Sequence, residues 1–352
     1  MTIVNPFFIM KTKPLVSVIM PVYNNEAFLH ESIESILRQT YDNFELLILS
    51  SEKTSQESLA IIESFTDPRI LHVRRDTTSA MISDARNLGL DRSKGVYIAY
   101  MDSDDISLPY RLETQVAFME NHPDIAIAGG YAKTFGLKAG ILMKNPIRPE
   151  EMKANMLFYA SVVNPTAIVR KDTLKHEKIR YTANLKYCED LDFWIHASRK
   201  VKIATIPKIL LLYRTHDNNA THQEKDFQET LRESIFQKNM DELEIPTDDQ
   251  KRILYKTIRT FSADSASPNF LSLAENWFTD IARINISKNI YEQKSLGNVL
   301  ANKWLEMCRL GSKELGRDAW KIFWQSTTRS WLKKDIRTAG RVLKFFIATH
   351  LK

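Results

Sequence analysis

Glycine is scarce in this chain, with 10 in 352 residues, against an ordinary usage of about 7%. No Gly-x-Gly-x-x-Gly and no Walker-type loop occurs, which excludes the glycine-built phosphate cradles. A nucleotide, if bound, must be held by carboxylates and a metal. Cysteine is nearly absent too. Cys188 and Cys308 lie far apart without metal-ligand spacing, so a disulfide framework is not expected and a reducing compartment is. Long apolar runs are also missing. Ile3–Met10 is too short to span a bilayer and lacks the basic start and small-residue cleavage site of a signal peptide. Residues 1–13 are therefore expected as an N-terminal extension, and the chain as soluble or peripheral. Acidic residues are few at the other end, where Arg309–Lys352 holds eleven Lys or Arg and three Asp or Glu. With a formal charge of +6 overall, everything before that tail is close to neutral.

What is present is a 43% hydrophobic composition, enough for a substantial core. Over the first two hundred residues the apolar period alternates. Leu15–Met20, Phe44–Leu49, Ile70–Val73 and Val96–Met101 read as buried strands. Glu26–Gln39, Ser55–Phe65, Ile82–Leu90 and a stretch opening at Pro109 read as helices, the first with Leu29, Ile33, Ile36 and Leu37 on one face. This alternation predicts an α/β fold with a mostly parallel sheet flanked by helices. Ligands of such sheets bind beyond the carboxyl ends of the strands. From Glu224 onward the pattern is helical, over Thr247–Phe261, Phe270–Ile284, Leu296–Leu310, Arg317–Trp324 and Ser330–His350. The expected division is therefore 1–13, an α/β domain over 14–223, and a C-terminal helical region over 224–352.

The fourth strand runs into Asp102-Ser103-Asp104-Asp105. In an extended chain Asp102 and Asp104 point the same way, and paired carboxylates at a strand's end suit Mg²⁺ or Mn²⁺. A solvated acidic turn capping the helix at Pro109 is the other reading of these residues. Asp190, in Cys188-Glu189-Asp190-Leu191-Asp192-Phe193-Trp194, opens a helix whose dipole keeps it ionised. It can serve as a general base or as an N-cap.

Several ordered motifs resemble family 2 inverting glycosyltransferases. They are Val16-Ser17-Val18-Ile19-Met20-Pro21-Val22-Tyr23-Asn24, Leu37-Arg38-Gln39-Thr40-Tyr41, Ala85-Arg86-Asn87-Leu88-Gly89, Lys94 through Asp105, and Glu189-Asp190. The resemblance covers about Leu15 to Thr221 and implies a GT-A fold (Rossmann-like), a nucleotide-diphospho-sugar donor and a divalent metal, Mn²⁺ or Mg²⁺. It implies Pro21 and Tyr23 at the nucleobase, with Ser51, Arg86, Asp102, Ser103 and Arg214 on the nucleotide-sugar side. Asp104, Asp102 and His216 become the metal positions, the last within a closing Tyr213-Arg214-Thr215-His216 loop. Asp190 becomes the catalytic base, and Glu189, Trp194 and Asn164 fall on the acceptor side, where Trp194 can equally be a core residue.

Two stretches depart from the family pattern. Leu49-Ser50-Ser51-Glu52-Lys53 stands where Asp-Asp-Gly-Ser is usual, and Thr77-Thr78-Ser79-Ala80-Met81 stands where Asn-x-Gly is usual. Both touch nucleotide recognition and leave Asp102, Asp104 and Asp190 in place. In the tail, Trp320, Phe323, Trp324, Trp331, Leu332, Ile336, Leu343 and Phe346 recur among Lys321, Arg329, Lys333, Lys334, Arg337, Arg341 and Lys344. Such a stretch can lie on an anionic membrane or pack as a helix pair with a solvated basic face. No nucleic-acid motif accompanies the charge. The expected function is transfer of a hexose or N-acetylhexosamine, with UDP-sugar as donor, to a hydroxyl of a surface glycan such as lipooligosaccharide, capsule or O-antigen. A lipid-linked acceptor would place it in the cytoplasm, at the inner membrane's cytoplasmic face. The competing reading is a non-catalytic donor-binding or scaffold subunit of a glycan-assembly complex, motivated by Ser50-Ser51. A nucleotidyltransferase would need a Gly-rich basic loop where Pro21-Val22-Tyr23-Asn24-Asn25 stands.

Overall fold

The run Val16–Pro21 forms strand β1, buried along nearly its whole length, because a strand covered on both faces must be apolar throughout. The computed structural model describes residues 13–75, 81–217, 224–245 and 248–350. The stretches 3–10 and 77–80 of the sequence reading lie outside them. Strands β2 (Phe44–Ser51) and β3 (Ile70–Arg75) follow helices α1 (Glu26–Leu37) and α2 (Gln56–Glu63), and β4 (Tyr97–Tyr100) follows α3 (Ile82–Arg92). β1 pairs in parallel with β2 and β4, and β2 with β3. These are the βαβ crossovers the alternating pattern implied.

A buried polar knot locks the register at the start of the strands. Ser17 Oγ donates to Glu45 Oε1 (2.6 Å), which also accepts Lys94 N–H (2.7 Å), while Gly95 N–H donates to Ser17 Oγ (2.8 Å). Gly95 is required there, since a Cβ would lie 2.6 Å from Ser17 N and 2.7 Å from Tyr97 O. Gly89 has the same role in packing, because a Cβ would stand 2.7 Å from Ile19 and push α3 off β1.

The sheet continues beyond what periodicity showed. Strands β5 (Ile106–Ser107), β6 (Ile127–Gly136), β7 (Leu142–Met143), β8 (Ile168–Arg170) and β9 (Ile203–Thr215) complete it among the described residues. Helix α4 (Arg111–Asn121), between β5 and β6, is the one that the stretch opening at Pro109 predicted. The order is β3-β2-β1-β4-β8-β6-β9-β5, with β7 on β6. β8 runs antiparallel to β4 with Ala99 opposite Ile168, and β5 antiparallel to β9 with Ile106 opposite Leu212. The parallel half thus carries an antiparallel half beside it, giving a mixed α/β sheet.

The chain forms two compact units. One comprises Met1–Lys144, Val162–Phe193 and Ile206–Asp217; the other comprises Asn145–Ser161, Trp194–Thr205 and Asn218–Lys352. The second unit therefore draws two earlier segments into the C-terminal helical region. It contains α5 (Pro149–Asn155) and six helices, α8 (Lys225–Glu242), α9 (Asp249–Arg259), α10 (Pro268–Lys288), α11 (Gln293–Leu315), α12 (Arg317–Gln325) and α13 (Ile336–His350). Of these, α8 had no counterpart among the stretches read as helical. Its core holds Phe158, Tyr255, Phe278 and Trp304. Tyr255 donates to Leu157 O, and buried Lys303 Nζ donates to Tyr159 Oη (3.0 Å). Two short helices, α6 (Lys171–His176) and α7 (Glu189–Lys200), follow β8. Neither Cys188 nor Cys308 is in a disulfide. No helix among the described residues is long and apolar enough to cross a membrane.

Candidate active site

The first unit gathers its charged side chains where β4 ends. Arg86, on α3, is 3% exposed. Its guanidinium donates to Glu189 Oε1 and, at 3.3 Å, to Asp102 Oδ1. It lies 5.5 Å from the centre of the Tyr181 ring, which stacks on Phe193 at 4.2 Å. Burial opposes the Arg86 charge, but Glu189, Tyr181 and Asp102 outweigh it and raise its proton affinity. Burial raises Asp102 to about 6, opposed by Arg86 and reinforced by Asp104 and Asp190. It likewise raises Glu189, against Arg86 and with Asp190. Asp190 therefore belongs to the same electrostatic cluster as Asp102 and Glu189.

The entry to α7 explains how Glu189 and Asp190 arrive together. Cys188 takes a left-handed φ of 56°, and its carbonyl accepts Asp192 N–H (3.1 Å). The cap position is thus Cys188, and Asp190 lies inside the first turn, accepting Leu191 N–H at 2.8 Å. Anionic side chains are favoured there by the helix dipole.

Antiparallel pairing of β5 with β9 brings the Asp104-Asp105 peptide beside Arg214. Arg214 N–H donates to Asp105 Oδ1 (2.8 Å) and its Nε–H to Asp104 O (2.7 Å), while a terminal nitrogen meets Glu31. Phe28 and Phe135 hold the guanidinium at 4.5 and 4.4 Å from their ring centres. Arg214 thus braces the carboxylate loop. His216 Nε2 is 3.0 Å from Asp104 Oδ2. Ser103 Oγ accepts from Asn25 Nδ2 (3.0 Å), which ties the loop after β1 to the loop after β4.

Three residues of this cluster were missed in the sequence. Asn25 follows the first motif directly but carries no signal of its own. Glu31 lies on α1, where a charged residue reads as a solvated face. Arg111 is fully buried beneath the carboxylates, donating to Tyr100 O (2.7 Å) and Gln115 Oε1 (3.1 Å). Burial lowers it to about 10, opposed by Asp105 and Asp102. An arginine in the first turn of a helix carries no sequence signal for this.

Of the residues expected at the nucleotide, Pro21 ends β1 and Tyr23 is 57% exposed in the loop beyond it. Ser51 is buried and accepts Lys53 N–H at 3.3 Å, while Ser50 Oγ is 2.8 Å from His72 Nε2. Both serines standing at the usual Asp-Asp positions are therefore engaged locally. Asn164 lies in a 3-10 turn, Asn164–Thr166. The β4–β8 pairing, continued by Tyr100 N–H to Ala167 O (3.0 Å), carries that turn to the end of β4 bearing Asp102. Asn164 is 5% exposed, and neither polar atom of its side chain has a partner. Trp194 differs from the stacking role considered for it. It is fully buried, and its ring packs as core where stacking on a sugar needs an open face.

Among the described residues, no three of His, Cys, Asp and Glu converge as a complete metal-ligand set. Asp104 and His216 do converge, with Asp102 two residues away on the same loop. Carboxylate oxygen and neutral imidazole fit Mn²⁺ or Mg²⁺, and such ions ordinarily complete their shells with substrate phosphate and water.

The family model for Glycosyl transferase family 2 matches residues 17–174. An uncharacterized glycosyltransferase of Haemophilus influenzae is 34% identical over 224 residues, covering 60% of this chain and 69% of that protein. WfaP of Escherichia coli, named as a UDP-Glc:alpha-D-GlcNAc-diphosphoundecaprenol beta-1,3-glucosyltransferase, is 28% identical over 64% of this chain and 86% of its own. Among solved structures, TarS 1-349 of S. aureus in complex with UDP-GlcNAc aligns with a TM-score of 0.57 at 18% identity, over 86% of this chain and 92% of that one. That likeness establishes the GT-A architecture. With this fold and these relatives, the chain is a glycosyltransferase and belongs to glycosyl transferase family 2.

Proposed function

We propose that this enzyme moves a hexose or N-acetylhexosamine, with inversion, from a UDP-sugar to a hydroxyl of a lipid-linked surface glycan. The observation that carries the chemistry is the bridging of Asp102 and Glu189 by Arg86 at the end of β4, with Asp190 next to Glu189 in the first turn of α7. Asp190 acts as the base. Its carboxylate takes the proton of the acceptor hydroxyl while that oxygen bonds to the anomeric carbon, and the nucleoside diphosphate leaves from the opposite face. Arg86 holds Asp102 and the Glu189-Asp190 turn in one geometry, so base and donor side are positioned together. Asp104 and His216, steadied by Arg214, would hold a divalent cation, with Asp102 beside them. When bound, that cation offsets the charge gathering on the departing diphosphate.

Pro21 and Tyr23 line the nucleobase side, with Ser51 and Ser103 nearby. The unpartnered carboxamide of Asn164 supplies donor and acceptor groups for sugar hydroxyls on the acceptor side, since buried polar groups in folded proteins are otherwise paired. The relative WfaP is named for a diphosphoundecaprenol-linked saccharide, which supports a polyprenyl-diphosphate glycan as acceptor at the cytoplasmic face of the inner membrane. The pairing of Ser50 with His72 supports a uracil contact differing from the carboxylate the family usually places there.

The test is a panel of nucleotide sugars with Mn²⁺ and a polyprenyl-diphosphate saccharide, scored by release of nucleoside diphosphate. We expect turnover with a UDP-sugar, and a loss of at least about a hundredfold in Asp190→Asn with donor affinity retained. Full transfer by Asp190→Asn would overturn the assignment of the base.

A further inference from the structure

Helix α13 has two apolar faces, and only one is covered. Phe345 and Thr349 are buried, with the Phe345 ring 5.2 Å from Trp320 and 5.5 Å from Phe323 of α12. Ile336, Leu343 and Ile347, seven and four residues apart, fall on the opposite side of a helix with 3.6 residues per turn. They are 92%, 57% and 44% exposed. Arg337 and Lys344, again seven apart, run along one edge of this stripe and are exposed, as are Lys333 and Lys334 just before the helix. From Ala319 to Lys352 the single acidic residue is Asp335, and its carboxylate accepts Thr338 N–H at 2.8 Å as the helix cap.

A helix that packs through one face needs no apolar residues on the other. Three of them facing solvent, edged by cations, match a surface that is apolar within and anionic at its boundary. A second copy of the chain fits poorly, because mating the stripes would bring the basic rows together. We propose that the outer face of α13 docks on an anionic phospholipid surface, with Ile336, Leu343 and Ile347 entering the acyl boundary. Arg337, Lys344, Lys333 and Lys334 then lie at the level of the lipid phosphates, where polybasic segments are held electrostatically. The inference rests on the helix alone, and binding is read with no donor or acceptor present, so it stands or falls apart from the sugar-transfer chemistry.

The experiment is co-sedimentation of the full chain with vesicles of phosphatidylcholine, alone or with phosphatidylglycerol, at low and high salt. Binding is expected to the mixed vesicles only and to weaken with salt. Leu343→Ser combined with Ile347→Ser, and separately Lys333→Gln, Lys334→Gln, Arg337→Gln and Lys344→Gln together, are each expected to weaken it at least about tenfold. These side chains are exposed, so circular dichroism and the urea midpoint should match the parent chain and show that folding is intact. Equal binding to neutral vesicles, no binding at all, or unchanged binding by both variants would overturn the proposal. So would a dimer in sedimentation velocity that the serine variant dissolves, which would make the stripe a self-interface.

Discussion

Arg86 joins two carboxylates that the sequence keeps far apart, Asp102 after β4 and Glu189 at the start of α7. Its side chain and that of Glu189 are 4% and 8% exposed, so removing one partner strands a buried charge. Arg86→Met should therefore lower stability by about 3–5 kcal/mol and abolish transfer. Arg86→Met with Glu189→Met should recover much of the stability, because an apolar pair replaces the buried ions, and should recover none of the activity. Urea midpoints and nucleotide release measure the two effects separately. A single variant that unfolds at the parent midpoint would mean that the buried pair does not hold this part of the fold.

At the scale of elements, the end of β2 departs most from the family pattern. Ser50 on β2 meets His72 on β3. His72 is exposed on β3, yet partial desolvation of its ring beside Ser50 holds its proton affinity below the ordinary His value; nearby Glu63 opposes this and Arg74 adds to it. The unfolded chain therefore takes up the proton first as pH falls through about 6.5. The contribution of a neutral His72 to stability is complete above that pH and drains away below it. The parent chain should lose stability between about pH 7 and about pH 5 by an increment that His72→Gln lacks. Urea titrations at the two pH values check this, and parallel losses in parent and variant would refute it. The parallel strands and their crossover helices were legible because each carries its own period. The antiparallel strands β5, β7 and β8 were not, being two or three residues long and too short to show a period.

For the whole molecule, the boundary drawn near residue 223 from the change in hydrophobic pattern is a proposal about where one folding unit ends. The second unit contains Asn145–Ser161 and Trp194–Thr205, and its hydrogen bonds bind those segments to distant helices. Lys153 Nζ donates to Ile290 O at 2.8 Å, Tyr159 Oη reaches Glu306, and Phe158 lies 6.0 Å from Phe278. A fragment ending at residue 223 would expose Met152, Leu157, Phe158 and Trp194, all buried in the full chain. We expect that fragment to aggregate or to unfold without a cooperative transition, in contrast to the full chain. A sharp urea transition and dispersed NMR amide signals from the fragment would show that the first 223 residues fold alone.

The sequence by itself determined the alternating α/β plan, the candidate carboxylates Asp102, Asp104 and Asp190, and the concentration of positive charge after Arg309. Each is a local property, readable from period, spacing or composition over a few turns of chain. Only the tertiary structure decided which charges share one cluster, that Trp194 is core, and that Arg111 lies beneath the carboxylates. It alone showed that α13 covers one apolar face and leaves the other open. Those depend on contacts between residues dozens to a hundred positions apart, and pairing across a sheet or burial of a helix face leaves no period in the chain that forms it.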